Sequence, residues 1–486
     1  MPIGQYWPVV QQANVQPSVL PADQLASVLS GWADSGHGAL VQRLALAVRR
    51  AIAAGLIVDG ARLPPERALA RALAVSRSTI TAALDELRAD DVIESRQGSG
   101  TWVRGTQRSV GSSRIAQHFS QWPGIDLAAG NPPDPSHWPP LSIDVADLIA
   151  DGGGPGVQPL GLPALRAALA DRHAAAGRRT DVEQIHVTAG AHQAIALVVG
   201  ACSRAGDAVL VEHTSYPGIF DILDARGARV VSLPTDSAGV LPGALERSLV
   251  EERAAVVYIQ SGPHNPTGRV PSPGRLRALA AVLDRHDAIV LEDCALADLT
   301  FGGRVRPELA DLCRRAVVVS VGSFSKVAWG GLRIGWMRAP APLIDATMHL
   351  RLANDLGASV PAQLMALRLL PHLDEMAERR RATLSAMVDR AAEQIGADFP
   401  AWRLVPPGGG SVLWVESNLA DSGPLVQLAG RHGVHVAPGA VARANRVADP
   451  HIRICVDRPL ELVETGLQRL WLATRELERA PAPVLG

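Results

Sequence analysis

From Ala39 the apolar positions fall at helical spacing. Leu40, Leu44, Val48, Ala51 and Ile52 share a face, and Gly55 is placed to end that helix. Leu63-Pro64-Pro65 opens a second helix carrying Arg67, Leu69, Ala70 and Leu73, proline being tolerated in a first helical turn. Ser76 is a good N-cap for a third, whose apolar face is Ile80, Ala83, Leu84 and Leu87. The pattern then shortens to two strands, 92–95 and 101–103, joined across Gln97-Gly98-Ser99-Gly100. Three short helices and a two-stranded wing predict a winged helix-turn-helix over 37–105, preceded by an N-terminal arm, 1–36.

Residues 106–125 are polar, with Ser109, Gly111, Ser112 and Ser113, and read as a linker. From 126 to 486 apolar strands alternate with amphipathic helices. Strand candidates are 184–188, 208–212, 255–260, 288–292 and 316–321, and 274–286 is a helix between two of them. The alternation predicts an α/β domain whose mainly parallel sheet is covered on both faces.

Composition narrows the function classes. At 47% hydrophobic residues the chain can fill sizeable cores, but its longest apolar runs cannot span a bilayer. Met1–Val10 holds no basic cluster and no apolar run follows, so no secretory signal is read and the expectation is a cytoplasmic protein without a membrane partner. Cys202, Cys294, Cys313 and Cys455 show no metal-ligand or disulfide spacing, so no metal is expected. The whole chain has net charge −1, yet 39–105 carries ten arginines against seven acids, a local balance that suits phosphate contact.

Within that segment Gly60-Ala61-Arg62-Leu63-Pro64-Pro65-Glu66-Arg67, Val75-Ser76-Arg77-Ser78-Thr79 and Arg96-Gln97-Gly98-Ser99-Gly100-Thr101 resemble the winged-helix domain of GntR-type transcription regulators. The N-terminus of the third helix would enter the major groove, bringing Ser76, Arg77, Ser78 and Thr81 to base edges and phosphates. The resemblance adds Arg67 on the second helix, and Arg96 and Gly98 in the wing, to the DNA-binding set.

The cations hold a second signal. Of 47 lysines and arginines only Lys326 is a lysine, and arginine cannot replace a primary amine that must condense with an aldehyde. Lys326 follows a strand, with Ser323 and Ser325 beside it and Arg333 seven residues on: an amine, two hydroxyl donors and a phosphate clamp. Upstream, Gly190, Ala191 and His192 sit where a strand gives way to a helix, so backbone N–H groups there can cradle a phosphate; the His192 side chain itself reads as a plain helix residue.

These motifs resemble fold-type I pyridoxal 5′-phosphate (PLP) enzymes, in which Lys326 would be the Schiff-base lysine. The resemblance implies a smaller C-terminal α/β subdomain and further site residues. Tyr216 would stack on the pyridine, Asn265 would bond the phenolic oxygen, Asp293 would keep the ring nitrogen protonated, and Arg453 would grip an effector α-carboxylate. With the winged helix, the chain resembles the MocR-like subfamily of GntR regulators over about 450 residues. That implies a homodimer reading a double-stranded operator with repeated half-sites, answering to PLP or to an amine or amino acid.

Two departures bear on activity. Relatives carry a tyrosine where this chain has Ala295, and another, reaching the partner's phosphate, where it has Val157. Their loss costs about 1–3 kcal/mol of polar interaction. A regulator with little turnover is therefore expected; the alternative is an active PLP-dependent aminotransferase carrying an accessory DNA-binding domain.

Overall fold

The computed structural model describes residues 21, 22, 25, 26, 29, 32, 39–53, 57, 61–90, 92–96, 100–103, 113–115, 124–302, 307–445 and 447–479. They divide between two units, one within Met1–Ser112 and one spanning Ser113–Ala480.

In the first unit α1 (Leu40–Ala53), α2 (Glu66–Ala72) and α3 (Arg77–Ala89) precede a hairpin of β1 (Ile93–Arg96) and β2 (Gly100–Val103), antiparallel with Ile93 opposite Val103. Leu44, Val48, Leu69, Ile80, Leu84, Leu87, Ile93 and Val103 form its core. Pro65 stands just before α2 rather than in its first turn. Ala74 closes the turn between α2 and α3 with φ +55°, and the Val75 amide reaches back to Ala70 O at 3.0 Å, a helix-ending geometry that more often uses glycine. Ser76 caps α3, its Oγ accepting from the Thr79 amide at 3.1 Å.

The second unit is built on seven strands: β3 (Ile185–Thr188), β4 (Ala208–Glu212), β5 (Arg229–Leu233), β6 (Val256–Gln260), β7 (Ile289–Asp293), β8 (Val317–Ser323) and β9 (Gly335–Arg338). Their order is β3-β9-β8-β7-β6-β4-β5, and only β9 runs antiparallel to its neighbours. Side chains alternate across the sheet. Val209 and Val211 pack with Ile195 and Val198 of α4 (Ala191–Cys202), while Leu210 faces Leu276, Leu279 and Leu283 of the helix Pro273–Arg285. Helices on both faces leave ligand access at the strand ends. Thr188, Glu212, Gln260, Asp293 and Ser323 stand together at the carboxyl edge.

A smaller subdomain follows. Strands β10 (Arg403–Leu404), β11 (Val412–Glu416), β12 (Ala437–Pro438) and β13 (His451–Cys455) form an antiparallel sheet of order β10-β11-β13-β12. Against it pack α5 (Leu373–Asp398), through Val388 and Ile395, and α6 (Leu460–Arg479), through Val463 and Leu467. Ile125 and Asp126 pair with Val434 and His435, so the chain contributes a short strand to this subdomain before it enters the seven-stranded sheet. Among the described residues, no helix is long and apolar enough to cross a membrane.

Ser76→Ala removes the cap of α3 and is expected to lower the stability of the first unit by about 1 kcal/mol. Calorimetry of the full chain should show the loss in that unit's transition alone.

Candidate functional site

Lys326 lies just past the end of β8. Its Nζ donates to Gly130 O at 2.7 Å and to Asn131 Oδ1 at 2.9 Å. Burial, and then the nearby Arg453 guanidinium, lower its pKa to about 8, so a useful fraction is neutral and nucleophilic near neutral pH. The acceptor loop is itself fastened, because Arg458 donates to the carbonyls of Ala129 and Asn131, both at 3.0 Å, and of Asp126 at 3.1 Å. From the other side Arg380 donates to Lys326 O at 3.2 Å and pairs with the buried Asp457 at 2.6 Å.

Asp293 closes β7. One carboxylate oxygen accepts from Tyr258 OH at 2.6 Å and the other from the Ala295 amide at 2.9 Å. Burial raises its pKa, against the pull of the Tyr258 hydrogen bond. A cation at that oxygen would relieve the desolvated charge, and a protonated pyridine nitrogen is such a cation. Tyr258 is buried in β6, and its role as donor to Asp293 appears only once β6 and β7 are paired.

At the opposite end Gly190, with φ +89°, turns the chain from β3 into α4, whose first amides belong to Ala191 and His192. Arg333, itself at φ +53°, donates to Ala189 O at 2.6 Å. A Cβ on Gly190 would stand 3.1 Å from that guanidinium, and one on Gly335 would stand 2.7 Å from the Gly190 carbonyl carbon. The two glycines thus let a helix N-terminus and an arginine converge on one space. Ser323 and Ser325 are buried beside it, Ser323 Oγ accepting from the Ser325 amide at 3.1 Å. Helix amides, two hydroxyls and a guanidinium fit a phosphate, and the carboxylate and amine fit the ring and aldehyde of PLP.

The remaining expected residues enclose the same space. Tyr216 OH is 3.2 Å from His192 Nδ1, with the rings edge-on at 6.2 Å. His192 therefore supports Tyr216 and lines the cavity, where the sequence had suggested a plain helix residue. Arg453, in β13, is 4% exposed; its Nε donates to Asn265 Oδ1 at 3.3 Å and its guanidinium also reaches Ala128 O. The cavity measures about 610 Å³ and is lined by Ala191, His192, Tyr216, Asn265, Asp293, Ser323, Ser325, Lys326, Arg333 and Arg453. Gly190 is packed behind Arg333. Asn131, Trp329, Arg458 and Ile115 also line it and had no signal in the sequence beyond their neighbourhood. Ala295 lines the wall with no hydroxyl, while Val157 is exposed.

On the first unit, Arg67, Ser76, Arg77 and Ser78 are exposed at the start of α2 and α3. Arg77 leans on Glu66 at 3.3 Å. Thr81 points inward to Glu66 Oε2 at 3.1 Å and to Arg77 O at 3.0 Å, so it ties α3 to α2 instead of presenting its hydroxyl outward. Of Arg96 only the backbone is described, paired with Gly100, and Gly98 lies outside the described residues. Several of the ten arginines serve the fold: Arg49 pairs with Glu86 and Asp90, Arg88 bonds Ser95, and Arg62 lies over the Trp102 ring.

The family model for aminotransferase class I and II matches residues 123–470. The chain belongs to that family. The model for bacterial regulatory proteins of the gntR family matches residues 40–103. The two in this order give the MocR-like architecture: a transcription regulator with a DNA-binding winged helix fused to a PLP-binding aminotransferase-like domain of fold type I. Among its relatives, the HTH-type transcriptional regulator TauR of Rhodobacter capsulatus is 29% identical over 84% of this chain and 90% of its own. The HTH-type pyridoxine biosynthesis transcriptional regulator PdxR of Corynebacterium glutamicum is 28% identical over 75% of this chain and 80% of its own. The crystal structure of LysN, the α-aminoadipate aminotransferase of Thermus thermophilus, complexed with N-(5′-phosphopyridoxyl)-L-leucine, superposes with a TM-score of 0.68. It is 25% identical and covers 75% of this chain and 95% of its own.

Capture of PLP by the Lys326 amine is expected to speed up with rising pH and to level off above about 8, where the amine is neutral. Stopped-flow absorbance of the full chain mixed with PLP reads this directly. Borohydride reduction followed by peptide mapping should place one pyridoxyl group on Lys326, and a reduced protein without it would remove Lys326 from the cofactor site.

Proposed function

We propose that this regulator senses PLP itself, or an amine or amino acid through PLP, and that its aminotransferase-like domain turns over little or no substrate. The observation that carries the reading is a single cavity lined by the amine of Lys326 and the carboxylate of Asp293 but also by Ala295, which supplies no hydroxyl. Bound PLP supplies an aldehyde that condenses with amines and a protonated ring that withdraws electrons.

The chain's own groups then divide the work. Lys326 gives the amine and Asp293 holds a proton at the ring nitrogen. Arg333, Ser323, Ser325 and the amides of Ala191 and His192, next to Gly190, hold the phosphate. Tyr216 covers the ring, Asn265 bonds the phenolic oxygen, and Arg453 forks onto an effector carboxylate. Without a phenol at 295, the phenolic oxygen would have one donor fewer, and the site lacks a hydroxyl there to hold or move a proton during turnover. In this reading the protein acts in the cytoplasm as a homodimer. Its two winged helices contact repeated half-sites through Arg67, Ser76, Arg77 and Ser78, with Arg96 and Gly98 in the wing.

A second reading, an aminotransferase with an accessory DNA-binding domain, is favoured by the completeness of the Lys326, Asp293 and Arg453 set. One pair of assays on the full chain separates them. Saturating PLP is expected to change the affinity for DNA from upstream of its own gene by about 5- to 150-fold, the usual span of coupling between sites. Steady-state transamination of common amino acids should be negligible; sustained turnover without any change in DNA affinity would overturn the regulator reading. Arg77→Ala should weaken that DNA complex by about 1–3 kcal/mol in a gel-shift titration.

A further inference from the structure

Residues 106–125 read as a polar linker, yet three of them are held firmly. Asp221, on the helix Pro217–Arg226, accepts from Ser113 Oγ at 2.7 Å, from the Arg114 amide at 2.9 Å and from the Ile115 amide at 3.1 Å. The Arg114 side chain is 6% exposed. Its guanidinium donates to Ala444 O at 3.0 Å, to Val441 O at 3.4 Å and also to Arg443 O. It lies 4.2 Å from the centroid of the Phe220 ring. A buried cation on carbonyls and an aromatic face, beside a carboxylate loaded with three donors, is a built anchor and not a passing contact.

The anchor shares its elements with the cofactor cavity. Tyr216 caps the helix that carries Asp221, and Pro217 opens it; both line the cavity. The strip that receives Arg114 also braces the approach to Tyr216, through Ser215 N to Ala442 O at 2.9 Å and Ala444 N to His213 O at 3.2 Å. Ile115, next in the chain, lines the cavity itself.

We propose that Ile115 is a ligand-contacting residue and that Asp221 and Arg114 are positioning residues, which together make occupancy of the cavity set where the chain from the winged helix is fastened. This rests on the PLP-sensing reading above. A ligand packed against Tyr216 and Ile115 holds the helix and the linker end in one arrangement, and so stabilises the anchor. Fastened at Ser113, the chain leaving Val103 can span at most about 35 Å before it meets the larger unit. Released as far as Gly124, it can span about 75 Å. The reach allowed to each winged helix, and hence the effective concentration of the second on a repeated site, changes with the anchor.

Hydrogen exchange of the full wild-type chain, with PLP alone as the probe, tests the first half without any variant. PLP is expected to slow exchange of the Arg114 and Ile115 amides by about tenfold or more. Equal exchange with and without PLP, in protein whose absorbance shows PLP bound, would overturn the proposal. The second half uses Asp221→Asn, which keeps shape but weakens the acceptor. It should retain PLP within about threefold while the PLP-induced change in DNA affinity falls to about onefold, a loss of coupling that damage to stability alone does not produce. A variant that keeps both PLP and the full change in DNA affinity would also overturn it. If the wild type binds PLP and shows the exchange effect but no change in DNA affinity, the sensing reading fails and the coupling with it; the anchor and the Ile115 contact alone would stand.

Discussion

Burying an ionisable amine costs several kcal/mol unless fixed dipoles replace its water, and the larger unit is arranged around meeting that demand for Lys326. Two acceptors, Gly130 O and Asn131 Oδ1, stand in for solvent. They are effective only because Arg458 holds their loop by three carbonyls and Arg380 holds the backbone of Lys326 itself. The partial compensation leaves the amine near pKa 8, a value suited to a group that must shed a proton to react. The parallel sheet supplies the rest, since its carboxyl edge brings Asp293, Ser323 and the α4 N-terminus to one place.

How much of this could be read from sequence depends on whether a residue's role is local. Ser76 was legible as a cap because the bond it makes is three residues away. Lys326, Ser323, Ser325 and Arg333 were legible because one strand end and the turn after it hold them all. Tyr258 was not, since its bond to Asp293 requires two strands to pair. Asn131 lies 195 residues from the amine it meets, and Ile115 sits in a stretch whose composition suggests only a linker.

The local excess of arginine pointed to the right segment but not to its contact residues. The excess of arginine in 39–105 suggested a phosphate-binding surface, but Arg49 and Arg88 are spent bracing helices and strands, and Arg62 lies on Trp102. What remains exposed at the start of α2 and α3, Arg67 and Arg77 with Ser76 and Ser78, is smaller and better placed. Thr81 moved the other way, from candidate base contact to a tie between helices.

In the function proposed above, one primary amine links cofactor occupancy to DNA binding. The most direct measurement compares full-length wild type with Lys326→Arg, which keeps a cation but cannot condense with an aldehyde. DNA affinity without PLP should be the same in both, within about twofold, and PLP should change it only in the wild type. A Lys326→Arg protein that answered PLP as the wild type does would show that the Lys326 amine is not the link.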